Sequence, residues 1–258
     1  MITLILGDLR FPKLIIQKLK REKKNFFIID LSKNNSFKKE KNSYRISIGK
    51  FGSMINLMKK KKSKKVLFAG KIHKPNFSKL RLDFKGILYL PSVIQAAKLG
   101  DAAIIKSIIN ILKKEKIKVI RSNFFNQELT LDTGNYTKSK PNLLDKKSIN
   151  KGISFFKKSN KLDHVQAIVI KDSKIIAKEE RDGTKKMLSR LKKKSNSILM
   201  KFPKNNQDLR IDLPTIGIQT LRDCKKFGLK GLVLKSKQNI FLDKDECIKF
   251  ANRNKIFI

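Results

Sequence analysis

Strand-like and helix-like segments alternate through the first half of this chain, and this order constrains its fold most. Short apolar runs that end in Gly or Leu occur at 2–7, 25–31, 44–49 and 64–70. The segments between them place apolar residues at helical spacing. Such alternation predicts a parallel sheet flanked by helices, in which loops after the strand ends form the ligand crevice. Gly7 and Gly70 lie at two of these ends.

The rest of the chain predicts a second α/β region. Residues 132–148, DTGNYTKSKPNLLDKKS, are polar and rich in turn residues, which indicates a domain boundary. We therefore predict an N-terminal domain over 1–133 and a C-terminal α/β domain over 136–258. Within the second region the pattern predicts a hairpin over 165–180, a helix over 182–194, strands over 198–204 and 208–213, and a helix over 215–227.

A helix break is predicted inside the apolar segment 90–117. The sequence Leu99-Gly100-Asp101 interrupts the helical pattern. Glycine is common where helices end, and aspartate is a favoured cap where they begin. We expect Gly100 to end one helix and Asp101 to cap the next.

The net charge is strongly positive, +41 from 62 basic and 21 acidic residues. A basic surface favours nucleic acid, since binding phosphates releases counterions. However, only 10 of the basic residues are Arg, they do not cluster, and Trp is absent. Base readout prefers Arg, so we predict no specific nucleic-acid partner. The charge still attracts anionic membranes and anionic substrates. A basic RNA- or membrane-binding protein without catalytic activity remains the alternative.

Few catalytic classes fit the chain. Two His cannot supply the ligands of a dinuclear metallophosphoesterase, and neither lies in a recognisable triad setting. The Walker and Gly-x-Gly-x-x-Gly motifs are absent from the sequence. Cys224 and Cys247 match neither a disulfide framework nor metal-ligand spacing. Catalysis is therefore expected to depend on carboxylates and a hard metal ion.

The amino-acid sequence also predicts a cytoplasmic protein. Its N-terminus, MITLILGDLR, lacks the basic start and long apolar core of a signal peptide. The apolar runs are all shorter than the roughly 20 residues that a spanning helix needs. We expect at most a peripheral association with a membrane.

The segment NQDLRIDLPTIG, 206–217, contains the main candidate site. If it is extended, Asp208, Arg210 and Asp212 share one face. Asp212 then either holds Mg²⁺ beside the start of a helix opened by Pro214 and Thr215, or merely caps that helix. Asp208 is either a second metal ligand or a surface charge, and Arg210 would bind phosphate oxygens.

Two further positions are candidates for binding phosphate. Gly183 and Thr184 open a predicted helix, where backbone N–H groups either bind a phosphate or are simply capped. Lys201 and Lys204 lie close by in the sequence KFPK. A lysine is weak evidence in a chain with so many.

Four segments together resemble the LpxI-type UDP-2,3-diacylglucosamine hydrolases of lipid A biosynthesis. They are VLFAGKIHKPNF at 66–77, LGDAAIIK at 99–106, EERDGTKKML at 179–188 and MKFPKNNQDLRIDLPTIGIQT at 200–220. The resemblance implies a Rossmann-like N-terminal domain and a distinct C-terminal α/β domain. It also implies cleavage of the pyrophosphate by water, with Mg²⁺ or another divalent cation such as Mn²⁺, to give UMP and 2,3-diacylglucosamine 1-phosphate.

The resemblance assigns roles to particular residues. It makes Asp212 the essential aspartate and leaves Asp208, the second candidate metal ligand, undecided. It implies substrate contacts at Gly70, Lys71, Thr130, Gly183 and Thr184. The residue pattern itself adds Gly7, Lys201 and Arg210 as candidate substrate contacts. The UDP-linked diacylated glucosamine lipid would be met at the cytoplasmic surface of the inner membrane. The family also favours a homodimer.

Two departures from the family pattern touch predicted ligand loops. The family's Gly-Gly-Gly-x-Leu-Pro is here Gly7-Asp8-Leu9-Arg10-Phe11-Pro12, and its Gly-Thr-Asp is here Gly183-Thr184-Lys185. These changes leave open another alternative, a nucleotide-sugar-binding protein with a different substrate.

Overall fold

The computed structural model describes residues 1–73, 75–158, 165–180, 182–191, 196–204 and 207–258. The chain forms two compact units. The N-terminal unit comprises Met1–Asn126 and Asp208–Asp212, and the C-terminal unit comprises Gln127–Gln207 and Leu213–Ile258. A short segment from late in the sequence thus belongs to the N-terminal unit. The domain boundaries at 133 and 136 remain a prediction.

The N-terminal unit contains a five-stranded parallel sheet, as the alternating pattern predicts. Its strands are β1 (Ile2–Leu6), β2 (Phe26–Asp30), β3 (Ser43–Arg45), β4 (Lys65–Ala69) and β5 (Lys118–Ile120), in the order β3-β2-β1-β4-β5. Its helices are α1 (Phe11–Arg21), α2 (Phe51–Lys60), α3 (Phe84–Leu99) and α4 (Asp101–Lys114). The strand order reverses between β1 and β4, which is where ligands bind in open sheets of this kind.

Apolar runs explain why these strands form. Ile5 on β1, Ile29 on β2 and Val66 on β4 are buried together with apolar residues of α2 and α4. Strands covered on both faces read as continuous apolar runs, as these do. The sheet core therefore follows directly from the sequence.

The predicted helix break occurs at Gly100. This residue has φ +107°, a conformation that favours glycine, and it separates α3 from α4. The predicted cap is wrong, because Asp101 is the first residue of α4 and Gly100 occupies the capping position. Among the described residues, no side chain caps this helix.

The C-terminal unit contains a four-stranded mixed sheet and a two-stranded one. The larger sheet has the order β10-β8-β6-β7, formed by β6 (Ala167–Lys171), β7 (Lys174–Lys178), β8 (Ile198–Lys201) and β10 (Gly231–Leu234). The smaller sheet pairs β9 (Thr215–Ile216) with β11 (Ile240–Phe241) in parallel. The helices are α5 (Leu143–Lys158), α6 (Thr184–Ser189), α7 (Ile218–Lys226) and α8 (Lys244–Arg253).

The predicted hairpin is confirmed by antiparallel pairing of β6 with β7. Asp172 and Ser173 form its turn, with φ +46° and φ +60°. Two consecutive residues with positive φ suit the right-handed twist of the flanking strands.

The predicted strand over 208–213 is wrong, because these residues form a turn. Both Ile211 N and Asp212 N donate to the Asp208 carbonyl, each at 3.1 Å. The Asp208 carboxylate also accepts from Arg210 N at 2.9 Å. An aspartate that binds the backbone two residues ahead favours a turn over a strand, whatever the alternation of apolar residues.

The predicted helix start at 215 is also wrong. Thr215 lies in β9, and α7 begins at Ile218 after Gly217. Since none of the described side chains caps α7, the interpretation of Asp212 or Thr215 as its cap is excluded. The predicted anion site at that helix start, beside Asp212, loses its basis.

Candidate functional site

Two loops at the carboxyl edge of the parallel sheet bind each other through the backbone. After β1, Asp8 N donates to the Lys71 carbonyl, and after β4, Lys71 N donates to the Asp8 carbonyl, both at 2.9 Å. These loops follow neighbouring strands on either side of the point where the strand order reverses. The structure thus brings together three predicted site residues, Gly7, Gly70 and Lys71.

The two glycines are required by this close approach. A Cβ atom on Gly7 would lie 2.3 Å from the Lys71 carbonyl oxygen. A Cβ atom on Gly70 would lie 2.5 Å from the Asp8 carbonyl oxygen, and the φ of +85° at Gly70 disfavours any other residue. Their side-chain-free backbones therefore fix the shape of this edge.

Asp8 is a residue whose role sequence reasoning missed. Its carboxylate accepts from Lys33 N, at 3.1 Å for the nearer oxygen, and lies 3.1 Å from Nε2 of His73. It thereby connects the loops after β1, β2 and β4. The sequence contained one signal, because Asp8 departs from the glycine-rich loop of the family that the sequence resembles, but the partners of Asp8 are distant in sequence.

The segment Asp208–Asp212 lies at the same edge of the N-terminal sheet. Ser122, two residues after β5, donates its N–H to the Arg210 carbonyl at 2.7 Å. Ile211 packs against the core of the N-terminal unit. A backbone bond and a partly buried aliphatic side chain therefore hold this turn beside the end of β5.

Asp208 and Arg210 form a bidentate ion pair. Nε of Arg210 donates to one carboxylate oxygen of Asp208 at 2.9 Å, and Nη2 donates to the other at 2.7 Å. The Arg210 guanidinium lowers the pKa of the Asp208 carboxyl, and Lys106 of α4 adds to this effect. In turn, the bond to Asp208 raises the pKa of Arg210. Both Asp208 oxygens thus have a cationic partner within the chain.

Asp212 ends the same turn and differs from Asp208 in its surroundings. Its backbone N–H is bonded to Asp208, and the residue is exposed to solvent. Asp208 is thus half-buried and bound to arginine, whereas Asp212 is an exposed residue at the end of the turn. The prediction that both are metal ligands remains untested.

The remaining predicted contacts lie in the C-terminal unit, where Thr184 has a defined partner. Gly183 precedes α6 with φ +88°, and the Thr184 hydroxyl donates to the Glu179 carboxylate at 2.6 Å. The second oxygen of Glu179 accepts from Gln166 N at 3.1 Å. Glu179 is buried, so this pair of bonds satisfies a carboxylate away from water. Residues 192–194 of the predicted helix lie outside the described residues.

Thr130 and Lys201 also belong to the C-terminal unit. The Thr130 hydroxyl donates to the Gln127 carbonyl at 2.8 Å and closes the short turn before it. Lys201 is the last residue of β8 and is half-buried. The adjacent Lys204 donates its backbone N–H to Gln207.

The side chains that could donate to a metal ion limit the kind of metal site that this protein can form. In the described part of the chain, no group of three or more His, Cys, Asp or Glu side chains could hold a metal ion. Mg²⁺, however, is commonly bound by one or two carboxylates together with substrate phosphates. The exposed Asp212 fits that mode of binding. His164 lies outside the described residues.

The two cysteines are free thiols with no catalytic character. Cys224 and Cys247 have no accessible surface, and burial raises the pKa of each thiol to about 12. A thiol with so high a pKa is not a nucleophile at neutral pH. Carboxylates therefore remain the main candidates for chemistry.

In the described ranges, none of the helices is both long and apolar enough to cross a bilayer.

Known protein families cover nearly all of the chain. A family model of the LpxI N-terminal domain matches residues 1–129, which is half of the 258 residues, and a model of the LpxI C-terminal domain matches residues 132–258. The chain is also similar to the UDP-2,3-diacylglucosamine pyrophosphatase LpxI of Caulobacter vibrioides. The two are 29% identical over 223 residues, which span 83% of this chain and 80% of that protein.

Proposed function

The chain belongs to the LpxI family, and from this premise we propose that it hydrolyses the pyrophosphate bond of UDP-2,3-diacylglucosamine. The observation that carries the proposal is the similarity to the Caulobacter pyrophosphatase over 83% of the chain. The parallel sheet, with its glycine loops at the strand reversal, agrees with a nucleotide-containing substrate.

The reaction adds one water across the P–O–P linkage. The water oxygen bonds to one phosphorus, and the bridging oxygen leaves with the other phosphate, giving UMP and 2,3-diacylglucosamine 1-phosphate. The water protons pass to the released phosphates and to solvent. Catalysis of such a step requires a positioned water and stabilisation of negative charge on the phosphoryl oxygens.

Asp212 is the proposed catalytic carboxylate. It would hold Mg²⁺, or Mn²⁺, together with oxygens of the diphosphate, or orient the attacking water. The bound ion would neutralise charge on those oxygens. Exposure of Asp212 supports this role, because a carboxylate at the surface can meet a ligand that arrives from solvent.

Arg210 is the proposed phosphate-binding side chain, and Asp208 is its positioning residue. A guanidinium has five N–H donors, and Asp208 accepts two of them, which leaves three for phosphate oxygens. The bidentate pair fixes the plane of the guanidinium before substrate arrives. Asp208 remains the second candidate for metal binding, for which it would have to share its oxygens with Arg210.

The other predicted contacts complete the proposal. In the N-terminal unit, Gly7 and Gly70 would shape the loop edge that the substrate meets, and the exposed Lys71 would supply positive charge. In the C-terminal unit, the proposed contacts are Thr130, Gly183, Thr184 and Lys201.

The chemistry of the substrate also suggests where the protein acts. A lipid with two acyl chains resides at a membrane, so we propose that the chain works as a cytoplasmic protein at the inner-membrane surface. Its excess of positive charge favours anionic lipids. A homodimer is part of the same proposal and can be checked by sedimentation analysis.

The direct test is incubation of the purified chain with UDP-2,3-diacylglucosamine dispersed in detergent with Mg²⁺. We expect release of UMP, which stops when EDTA removes the metal and resumes when Mg²⁺ is restored. Absence of UMP from folded protein at every divalent ion tested would overturn the proposal. Tight, salt-sensitive RNA binding in the same preparation would then favour the alternative of a basic binding protein.

A further inference from the structure

Helix α3 exposes more apolar surface than the helices that cover the sheet core. Among its 16 residues, all of them described, Gly86 and Ala96 are buried, whereas α1 buries five of 11. Phe84 is 82% exposed, Ile87 and Leu88 are each 61% exposed, and Leu99 is 78% exposed. Large exposed apolar patches mark interaction sites.

The exposed apolar residues share one side of the helix. Phe84, Ile87, Leu88 and Pro91 follow the i, i+3, i+4, i+7 spacing of a single helical face. We call these four residues the outer face of α3. The opposite side carries the buried Gly86 and Ala96, so the outer face is directed away from the neighbouring helices.

Polar contacts hold the start of α3 in this orientation. The Asp83 carboxylate accepts from Gly86 N at 2.9 Å, which caps α3, and from Ser53 N at 2.7 Å at the start of α2. One carboxylate therefore connects the beginnings of two helices. These backbone bonds to the charged form lower the pKa of Asp83 against the effect of burial, which is the largest single influence on it.

The middle of α3 is anchored to the end of α4. Tyr89 donates its hydroxyl to Glu115 at 3.0 Å, and Lys85 and Lys59 also bind this carboxylate. The two lysines and Tyr89 lower the pKa of Glu115 to about 2. Exposure of the outer face is thus a consequence of fixed contacts on the inner side.

The charge around α3 suits an anionic surface. Residues 84–100 contain no Asp or Glu, and Lys98 is exposed on the helix. Lys79 and Arg81, in the segment before α3, are also exposed. Exposed apolar side chains with cations before the helix and near its end offer both contributions to binding at a bilayer interface, burial of apolar area and attraction to anionic lipids.

From these observations, we propose that the outer face of α3 inserts shallowly into anionic bilayers, with the helix parallel to the membrane surface. The choice of a lipid partner rests on the proposed function, because that substrate carries two acyl chains.

The test is sedimentation of the full chain with vesicles of phosphatidylglycerol and phosphatidylcholine, without substrate. The variant Phe84→Ser with Leu88→Ser removes two large apolar side chains of the outer face. The matched control is Leu143→Ser with Leu144→Ser at the start of α5, where the side chains are 77% and 63% exposed. Each pair replaces two large, exposed apolar side chains by serine without altering the charge.

We expect the α3 variant to bind vesicles at least about tenfold more weakly than wild type does. The control should bind them as tightly as wild type. Raising the salt concentration should weaken wild-type binding through screening. Equal loss in both variants would indicate general hydrophobic adhesion and overturn the proposal. Unchanged vesicle binding by the α3 variant would overturn it as well, and a shift from dimer to monomer in that case would assign the face to a second copy.

Failure of the proposed function is read separately, from UMP release by the wild type in detergent. Loss of that release by the α3 variant with unchanged vesicle binding would assign the outer face to acyl chains and contradict the inference. Thermal unfolding of each variant checks that the substitutions leave the fold intact.

Discussion

The turns at Gly70 and at Gly183 have nearly the same backbone conformation in different surroundings. Their φ angles are +85° and +88°. A Cβ atom on Gly70 would lie within 3 Å of Asp8, Pro12 and Gly7, whereas a Cβ atom on Gly183 would meet no described atom within 4 Å. Packing fixes the first turn, and conformational preference alone requires glycine at the second.

The difference indicates how each loop is ordered before a ligand binds. The turn in the N-terminal unit is held by reciprocal backbone bonds between Asp8 and Lys71. The turn in the C-terminal unit has one backbone bond, from Gly183 N to the Glu180 carbonyl at 3.1 Å. Its other bonds come from side chains, the Thr184 hydroxyl on Glu179 and the Arg190 guanidinium on Glu180 and Asp182. We therefore expect the first loop to tolerate little change and the second to adjust at small cost.

Substitution of each glycine by alanine should give the largest contrast. Gly70→Ala combines an unfavourable φ with overlap against backbone, so we expect a loss of about 3 kcal/mol of unfolding free energy. Gly183→Ala lacks the overlap and should lose about 1 kcal/mol. Urea denaturation of both variants measures this. Equal losses would show that packing around Gly70 does not distinguish the two turns.

Asp208→Asn should weaken catalysis without unfolding the turn. The variant removes the charge that orients Arg210, so we expect kcat/KM for UMP release to fall about tenfold. Adding Arg210→Lys to the Asp208→Asn variant should not restore kcat/KM, because lysine cannot form the bidentate pair that arginine forms. A kcat/KM equal to that of wild type would contradict the positioning role.

The same variant makes a prediction about acid stability. Because the folded-state pKa of Asp208 lies below its unfolded value, near 3.9, its contribution is present above about pH 4 and is lost as pH falls through the folded pKa. Wild type should therefore lose more stability than Asp208→Asn on acidification below about pH 4. Parallel losses would show that the ion pair contributes nothing.

Thr184 should have the smallest effect. Thr184→Val removes the hydrogen bond to Glu179 but keeps the shape, and we expect a loss of about 1 kcal/mol of unfolding free energy. Thr184→Ser retains the hydroxyl and is the control. If the Thr184→Val and Thr184→Ser variants had the same free energy of unfolding, the hydrogen bond to Glu179 would not order this turn.

The parallel sheet was predictable because its strands are continuous apolar runs. Strands that are buried on both faces have apolar residues at consecutive positions, among them Ile5 and Ile29. The break at Gly100 was equally local, since glycine adopts a φ that other residues avoid. These features depend on residues close together in the sequence.

The turn at Asp208–Asp212 could not be predicted from alternation. Its apolar residues alternate as in a strand, but the Asp208 carboxylate binds Arg210 and bends the backbone. Its position beside Ser122 depends on a contact between residues far apart in sequence. The connection of Asp8 with Lys33 and His73 was missed for the same reason.

Asp212 is proposed as the carboxylate on which hydrolysis of UDP-2,3-diacylglucosamine depends. Its most direct test is the rate of UMP release by Asp212→Asn with Mg²⁺, compared with Asp245→Asn, which neutralises an exposed aspartate on α8. We predict a loss of about 100-fold or more for Asp212→Asn and a rate near wild type for Asp245→Asn. An Asp212→Asn protein that released UMP at the wild-type rate would contradict the account.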